Sequence, residues 1–434
     1  MTRTYTRRSA IASAAAIATL GLASCGVGGG TDGAGSDGSG EITGAISFQT
    51  WNLSGGYSDY FEGLIAEFEE QHPGTEIEWI DKPAEGYQDS LSADAAAGNL
   101  PDVVDMGPEA AYTLADAGML LNIADADPEF SSEYLPAAWD AMTFTGVDGG
   151  TYGFPWYLNT GPSFFNTALI EQCGLDPENL PESYDELFDQ AAVMGENCSD
   201  VSMIGRLPAI ETFGTYGVDL MNEEQTEFTF NEPAGVEFLQ KYIDLYEGEG
   251  FTAESIGALQ TGELDAFKSG QLAWLPGSSY TLNELKETAP DVYENVAITP
   301  AIANEDPNMY IESLAVSAAS DNQATAMAFA AFVSNPENQM EFAQAASVFP
   351  STAGALDDPY FTESDGSDEQ EIRVQSANQV KEAQVYWPPP FSGASSAEYL
   401  REQISQAVLG EKSAQEALDA SVEYANERVT TGGE

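Results

Sequence analysis

Ile42-Thr43-Gly44-Ala45-Ile46-Ser47-Phe48-Gln49-Thr50-Trp51, then the run 57–71, then Glu76-Ile77-Glu78-Trp79-Ile80, is the stretch on which the fold is decided. The outer segments carry β-branched and aromatic residues over strand-like lengths, and between them Tyr60, Phe61, Leu64, Ile65 and Phe68 recur with helical spacing. Strand, amphipathic helix and strand in that order are the unit of an α/β fold. The rhythm continues with a helix over 86–97, a short strand over 102–106 and a helix over 109–117 that Gly118 stops. No repeat of solenoid or propeller length is visible.

Outward toward the N-terminus the character changes. Segment 26–41 is nearly all Gly, Ser, Asp and Thr, too polar to bury a core, and reads as a flexible linker. Within it Gly33-Ala34-Gly35-Ser36-Asp37-Gly38 matches GxGxxG, but no strand precedes it and no helix follows, so a dinucleotide site is excluded. Before the linker, Arg3, Arg7 and Arg8 precede an uncharged run that ends in Leu22-Ala23-Ser24-Cys25. A basic start and a short apolar run describe an export signal over 1–25. Leu22-Ala23-Ser24-Cys25 resembles the bacterial lipobox, which implies lipidation of Cys25 and an extracytoplasmic, membrane-anchored protein. Arg7-Arg8 leaves the general and twin-arginine export routes both open.

Export leaves Cys173 and Cys198 as an even pair in an oxidising compartment, so a disulfide between them is expected. Of 72 Asp and Glu and 13 Lys and Arg, all the acids and ten of the bases follow Cys25, an excess of 72 − 10 = 62 negative charges. Such a surface repels nucleic acid and anionic lipid. The carboxylates are scattered, which favours adaptation to a saline medium over a site for a cationic ligand.

Toward the C-terminus about 390 residues remain after the linker, suited to two lobes. Helices are expected over 167–173, 183–195, 233–248, 253–269, 322–334, 336–346, 397–409 and 413–430, and strands over 271–275, 296–299 and 312–317. Leu100-Pro101-Asp102-Val103-Val104-Asp105 with Leu114-Ala115-Asp116-Ala117-Gly118-Met119-Leu120 resembles the first lobe of extracellular solute-binding proteins of family 1, the maltose-binding-protein type. Tyr152-Gly153-Phe154-Pro155-Trp156-Tyr157-Leu158-Asn159-Thr160, then Phe164-Phe165-Asn166, resembles that family's first interlobe crossing, and Pro350-Ser351 and Gly410 to Leu418 its C-terminal region.

The resemblance implies a periplasmic-binding-protein-like fold of two α/β lobes, each a sheet flanked by helices, with ligand held in the cleft between them. It places 42–158 and about 300–347 in lobe 1, and 159–299 and about 348–434 in lobe 2. It further implies a sugar-binding component of an ABC importer, acting as a monomer without a cofactor and delivering its ligand to the permease. One departure stands out: many relatives carry paired glycines where this chain has Glu312-Ser313, so a side chain is expected to project there.

Sugars present apolar C–H faces flanked by hydroxyls, and a site for them needs aromatic platforms with fixed polar partners. Trp51, Asn52 and Ser54, Met106, Glu109, Asn159, and the Gly277-Ser278 loop with Tyr280 fall on cleft positions by the resemblance, and Trp156 and Tyr157 are aromatic candidates at the crossing. Tyr310, Glu312 and Trp387 complete the candidate set. Arg206 is a candidate to bond a sugar hydroxyl or carboxylate, although an ion pair is the favoured reading in so acidic a chain. His72 is the only histidine, which argues against a Ser-His-Asp triad or a His-based metal site. A secreted carbohydrate-active enzyme using two carboxylates, and a binder of polyamines or other cations, are the alternatives.

Overall fold

The structure, a computed structural model, describes residues 40–431 apart from 127–128, 249, 252, 258–259 and 392. The expected signal segment, Cys25 and the linker up to residue 39 lie outside the described residues.

Eleven strands form among the described residues: β1 (Gly44–Trp51), β2 (Thr75–Lys82), β3 (Val103–Met106), β4 (Thr143–Phe144), β5 (Gly150–Thr151), β6 (Phe154–Asn159), β7 (Ser163–Asn166), β8 (Trp274–Pro276), β9 (Val296–Thr299), β10 (Tyr310–Val316) and β11 (Phe349–Pro350). The larger sheet has the order β11-β6-β10-β3-β1-β2, the smaller one β8-β7-β9, and β4-β5 is a separate hairpin. In the larger sheet β1 runs parallel to β2 and β3, while β10 runs antiparallel to both β3 and β6. The C-terminal ends of β1, β3 and β6 and the start of β10 therefore share one edge. In α/β sheets that edge is where ligands are held.

Helix Ser54–Gln71 forms as its spacing predicts, burying Phe61, Leu64 and Phe68. These side chains pack with Phe48, Trp156, Phe329 and Phe342 into an aromatic core beneath the sheet. The smaller sheet is covered mainly by helices Tyr184–Asn197, Pro233–Glu247, Gly393–Val408 and Ala414–Thr431, whose apolar faces share one core with Phe165 and Trp274. The expected disulfide is present: Cys173 and Cys198 are joined, with Cα atoms 5.7 Å apart, at the ends of helices Thr167–Gln172 and Tyr184–Asn197.

Three segments of chain cross between the sheets: 160–162, 300–309, and the stretch that follows helix Asp368–Val380. Gln379, at the end of that helix, ties the first two crossings to it. Its Nε2 donates to Thr160 Oγ1 at 2.5 Å and Gly161 O at 3.2 Å, and its Oε1 accepts from Ala301 N at 3.0 Å. Thr160 Oγ1 donates to Asn308 O at 2.9 Å, and Asn308 Oδ1 accepts from Tyr386 N at 3.0 Å. Gly161 has no room for a side chain, since a Cβ there would collide with the Gly277 carbonyl.

Several boundaries differ from those expected. Within the expected 253–269 helix, the described residues are helical over Ala253–Gly257 and Gln260–Lys268. Helices Ile210–Tyr216, Ser279–Thr288 and Asp368–Val380 were not foreseen. Ser279–Thr288 buries only Thr281, Leu282 and Leu285, a stripe too narrow to announce itself after a Gly-Ser-Ser turn. The chain beyond 348, expected in the second lobe, returns first to the larger sheet: β11 pairs with β6, and Phe349, Phe361, Ala377 and Val380 share a core with Val104 and Leu158. A strand two residues long carries no periodicity that a sequence reading can detect.

Candidate functional site

A cavity of about 680 Å3 opens beside the crossing segments, within the roughly 300–1,000 Å3 range of small-molecule sites. The end of β6 and the first crossing supply Asn159, Thr160 and Gly161; the second crossing and the start of β10 supply Asn308 and Tyr310. From the smaller sheet's side come Gly277, Ser278 and Tyr280, with Arg206, Glu211, Glu263 and Lys268 from helices and loops around it. Tyr280 and Tyr310 are 67% and 54% exposed, and both line this cavity. Large apolar surfaces left open to water inside a cleft are what a sugar's C–H face can cover. Tyr280 stands in the first turn of helix Ser279–Thr288 rather than in a loop, and Thr281 Oγ1 accepts the Ser278 N–H at 3.1 Å to fix that turn.

Charge in the cavity is arranged in closed sets. Arg206 Nε donates to Glu263 Oε2 at 2.8 Å, and Glu263 is only 2% exposed. Arg206 is thus both the ion-pair residue that the sequence favoured and a wall of the cleft. Burial pushes the Glu263 carboxyl above its ordinary value while Arg206 pulls it down. Burial lowers the Arg206 guanidinium, but Glu263 and then Glu211 outweigh it and hold the side chain firmly protonated. Lys268 lies 3.6 Å from Asp265 and 3.4 Å from Glu284. Glu211, in helix Ile210–Tyr216, has an enclosed Oε2 with no hydrogen-bond donor among the described residues. Burial raises its carboxyl above the usual range, opposed by its own backbone amide, Arg206 and the Tyr310 hydroxyl. Trp274 closes the floor with its indole N–H donated to Ser163 Oγ at 2.9 Å.

The remaining candidates from sequence lie elsewhere. Trp156 is fully buried, its ring stacked 5.1 Å from Phe342 and edge-on to Phe61 and Tyr157, so it is a core residue and not an open platform. Met106 is likewise buried, and its carbonyl accepts Ser313 Oγ at 2.7 Å. Trp387 packs half-buried against Phe391 at 6.0 Å, with an enclosed Nε1, and does not line the cavity. Trp51, Asn52, Ser54, Glu109, Tyr157 and Glu312 stand at the cleft-facing edge of the larger sheet or just beyond it, outside the 680 Å3 cavity. Trp51 is half-buried, 6.1 Å from the Tyr87 ring. Asn52 is exposed with φ 53°, a left-handed turn that Asn tolerates. Ser54 is held by Asp81: Oδ2 accepts from Ser54 N at 3.0 Å and Oγ at 2.7 Å, and Oδ1 from Thr50 Oγ1 at 2.7 Å. Burial raises the Asp81 carboxyl, but these donors win and keep it below the usual range.

Glu312 does not project into the cleft. Its carboxyl turns onto Asp105 of the adjacent strand, and Asp105 Oδ1 and Oδ2 and Glu312 Oε2 are enclosed with no hydrogen-bond donor at bonding geometry among the described residues, although the Trp51 amide acts on Asp105. The two carboxyls hydrogen-bond one another, an arrangement that needs a proton on one of them. Burial raises both groups, Glu312 to about 7, and the charge of Glu312 raises Asp105 further.

Sequence reading missed Glu211, Glu263, Lys268, Trp274 and Asn308. Each is polar or aromatic in a chain full of such residues, and only the crossing geometry selects them. Among the described residues no group of three or more His, Cys, Asp or Glu is placed to hold a metal ion.

The sequence profile described as bacterial extracellular solute-binding protein matches residues 54–340, more than half of the chain. The chain belongs to that family. Binding proteins of Brucella abortus and Brucella suis match at 24% identity over 255 residues, spanning only 60% of their own length. The galactooligosaccharide-binding protein of Bacillus subtilis is 22% identical, with 86% of this chain and 87% of the relative covered. The sn-glycerol-3-phosphate-binding periplasmic protein of Escherichia coli is 24% identical, with 87% and 90% covered. Among solved structures, the GacH receptor of Streptomyces glaucescens superposes with a TM-score of 0.67 at 21% identity, covering 90% of this chain and 99% of that one. The cyclic α-maltosyl-1,6-maltose binding protein of Arthrobacter globiformis gives 0.68 at 19%, covering 90% and 99%. The family and these neighbours are binding proteins, and their two-lobe periplasmic-binding fold is the fold of this chain.

Proposed function

We propose that the protein captures a mono- or oligosaccharide outside the cytoplasm and delivers it to the permease of an ABC importer. The observation that carries this reading is the pair of solvent-open rings, Tyr280 and Tyr310, in one cleft with Asn159, Asn308 and Arg206. Rings supply platforms for sugar faces, and the amide and guanidinium groups supply fixed donors and acceptors for hydroxyls. The oligosaccharide ligands named for relatives from Bacillus and Arthrobacter support it.

The lobes divide at the crossings, with Gln379 and Thr160 at the hinge, and ligand shifts an open and closed equilibrium. Closure brings the edge carrying Trp51, Asn52, Glu109 and Tyr157 onto a ligand seated against Tyr280. The protein acts as a monomer and performs no chemistry on its ligand. Leu22-Ala23-Ser24-Cys25 supports lipidation at Cys25 and tethering to the membrane by the linker.

Thermal shift against a carbohydrate panel tests the reading, since a ligand at 100 times its Kd stabilises by about 2.7 kcal/mol. A carbohydrate that raises the melting temperature and is recovered intact is expected. No shift with any carbohydrate, or release of cleaved products, would overturn it.

A further inference from the structure

The family relatives take ligands of opposite electrical character, a neutral oligosaccharide in one and a phosphate ester in another. The charges lining this cleft distinguish between the two. One lining cation, Arg206, is already matched: Glu263 bonds its Nε at 2.8 Å, and Glu211 is a second carboxylate acting on the same guanidinium. The other lining cation, Lys268, is flanked by Asp265 and Glu284. Four carboxylates against two cations leave the cleft with an excess of negative charge, at least one unit of it at Glu211 whenever that group is ionised. An arriving phosphate or carboxylate would find no cation without a carboxylate partner among these lining residues.

Glu211 also has an unmet requirement. Although the Tyr310 hydroxyl and Arg206 act on its carboxyl, its Oε2 is enclosed and has no donor among the described residues, while the residue lines the cleft. A buried acceptor left without a donor costs about 1–3 kcal/mol, or roughly a five- to 150-fold factor in a binding equilibrium. A ligand hydroxyl that reaches it recovers part of that factor, and a ligand anion at the same place increases the penalty.

We propose that Glu211, set against the Arg206–Glu263 pair, is the specificity-determining residue that restricts the cleft to uncharged carbohydrates, accepting one ligand hydroxyl and rejecting phosphorylated or carboxylated sugars. This rests on the carbohydrate reading above. The Arg206–Glu263 pair holds Glu211 in place and cancels the charge that an anionic ligand would otherwise use.

The experiment is calorimetry on the purified chain with galactose, maltose and maltotriose as neutral probes, and galacturonate, galactose 6-phosphate and sn-glycerol 3-phosphate as anionic ones. The unaltered protein should bind at least one neutral probe, and at least about tenfold more tightly than every anionic one. Glu211→Gln keeps the shape and removes the charge, so it should narrow that ratio by about tenfold while leaving the apo melting temperature equal or higher. A residue that only supported the fold would move the melting temperature and leave the ratio unchanged. Tighter binding of an anionic probe by the unaltered protein overturns the inference but leaves the carbohydrate reading standing. A ratio unchanged in a folded Glu211→Gln also overturns it. Failure of all six probes, in a protein that the thermal screen shows to take no carbohydrate, overturns both. If the screen finds some other carbohydrate, that sugar and its uronate or phosphate replace galactose in the same comparison, with the same two outcomes.

Discussion

Tyr280 and Tyr310 hold their rings in solvent while Trp156 holds its ring in the core, and that contrast gives opposite mutational signatures. Tyr280→Ala or Tyr310→Ala should cost at least about 2 kcal/mol of binding, near thirtyfold in affinity, with little change in apo melting temperature. Trp156→Ala removes a stacked, enclosed ring and should cost roughly 3–5 kcal/mol of stability, with affinity preserved in the folded fraction. Paired measurements of melting temperature and calorimetric affinity separate the two. The Asp105 and Glu312 carboxyls give a second residue-level expectation. Both are raised above their unfolded values, with Asp81, Tyr87 and Tyr157 nearby and no cation among the groups acting on them. The folded state therefore holds protons that the unfolded chain releases above about pH 4, so their contribution to stability is present at acid pH and lost as pH rises, that of Glu312 through about 7. Apo melting temperature should fall between pH 5 and 8 by more than in Glu312→Gln, and that variant should be more stable by about 1–3 kcal/mol at pH 8. Parallel pH profiles for the two proteins would refute the shared-proton account.

At the scale of elements, the disulfide closes a separation of 25 residues between two helix ends and lies away from the residues lining the cleft. Chain-entropy reasoning gives it about 3 kcal/mol. Reduction should lower the melting temperature by several degrees and leave affinity unchanged, which a titration in reductant checks. The Gln379 knot differs, because it joins two crossing segments to the helix that leads into the third. Gln379→Ala leaves Thr160 and Ala301 without their side-chain partner and should alter the balance of open and closed forms. Small-angle scattering with and without ligand measures that balance, and an unchanged difference in radius would exclude Gln379 from the hinge. Helices such as Ser54–Gln71 and Tyr184–Asn197 were legible because one continuous apolar face meets one core. Helix Asp368–Val380 was not, since it opens with three acids in its first turn and splits its contacts, Ile372 to one core and Ala377 and Val380 to another.

Over the whole molecule the net formal charge is −59, and the carboxylates are spread along the entire chain after the linker begins. Self-repulsion of that kind is screened within about 10 Å at 0.1 M salt. Stability should therefore rise as salt is raised from low ionic strength, whereas affinity for an uncharged sugar held by rings and hydrogen bonds should change little. Loss of most affinity by 1 M salt would indicate a charged ligand. For the anchor, Cys25→Ala should shift the protein from the membrane fraction to the medium or leave it unprocessed, and normal processing with full membrane retention would remove the lipidation claim.

The sequence by itself determined the α/β alternation, the disulfide and the family, because each is written in local chemistry: spacing of apolar residues, an even cysteine pair, and the order of short motifs. The family resemblance put Asn159 and the Gly277–Tyr280 segment on cleft positions, and these residues, with Tyr310, line the cavity. Only the tertiary structure decided that Trp156 faces a packed core, that Glu312 folds back onto Asp105, and that Arg206, Glu211 and Glu263 meet around one cleft. The physical reason is that burial and charge pairing depend on which distant segments come together. Glu263 lies 57 residues from Arg206 in the chain, and no local pattern among 72 acidic side chains marks the one that will bond it.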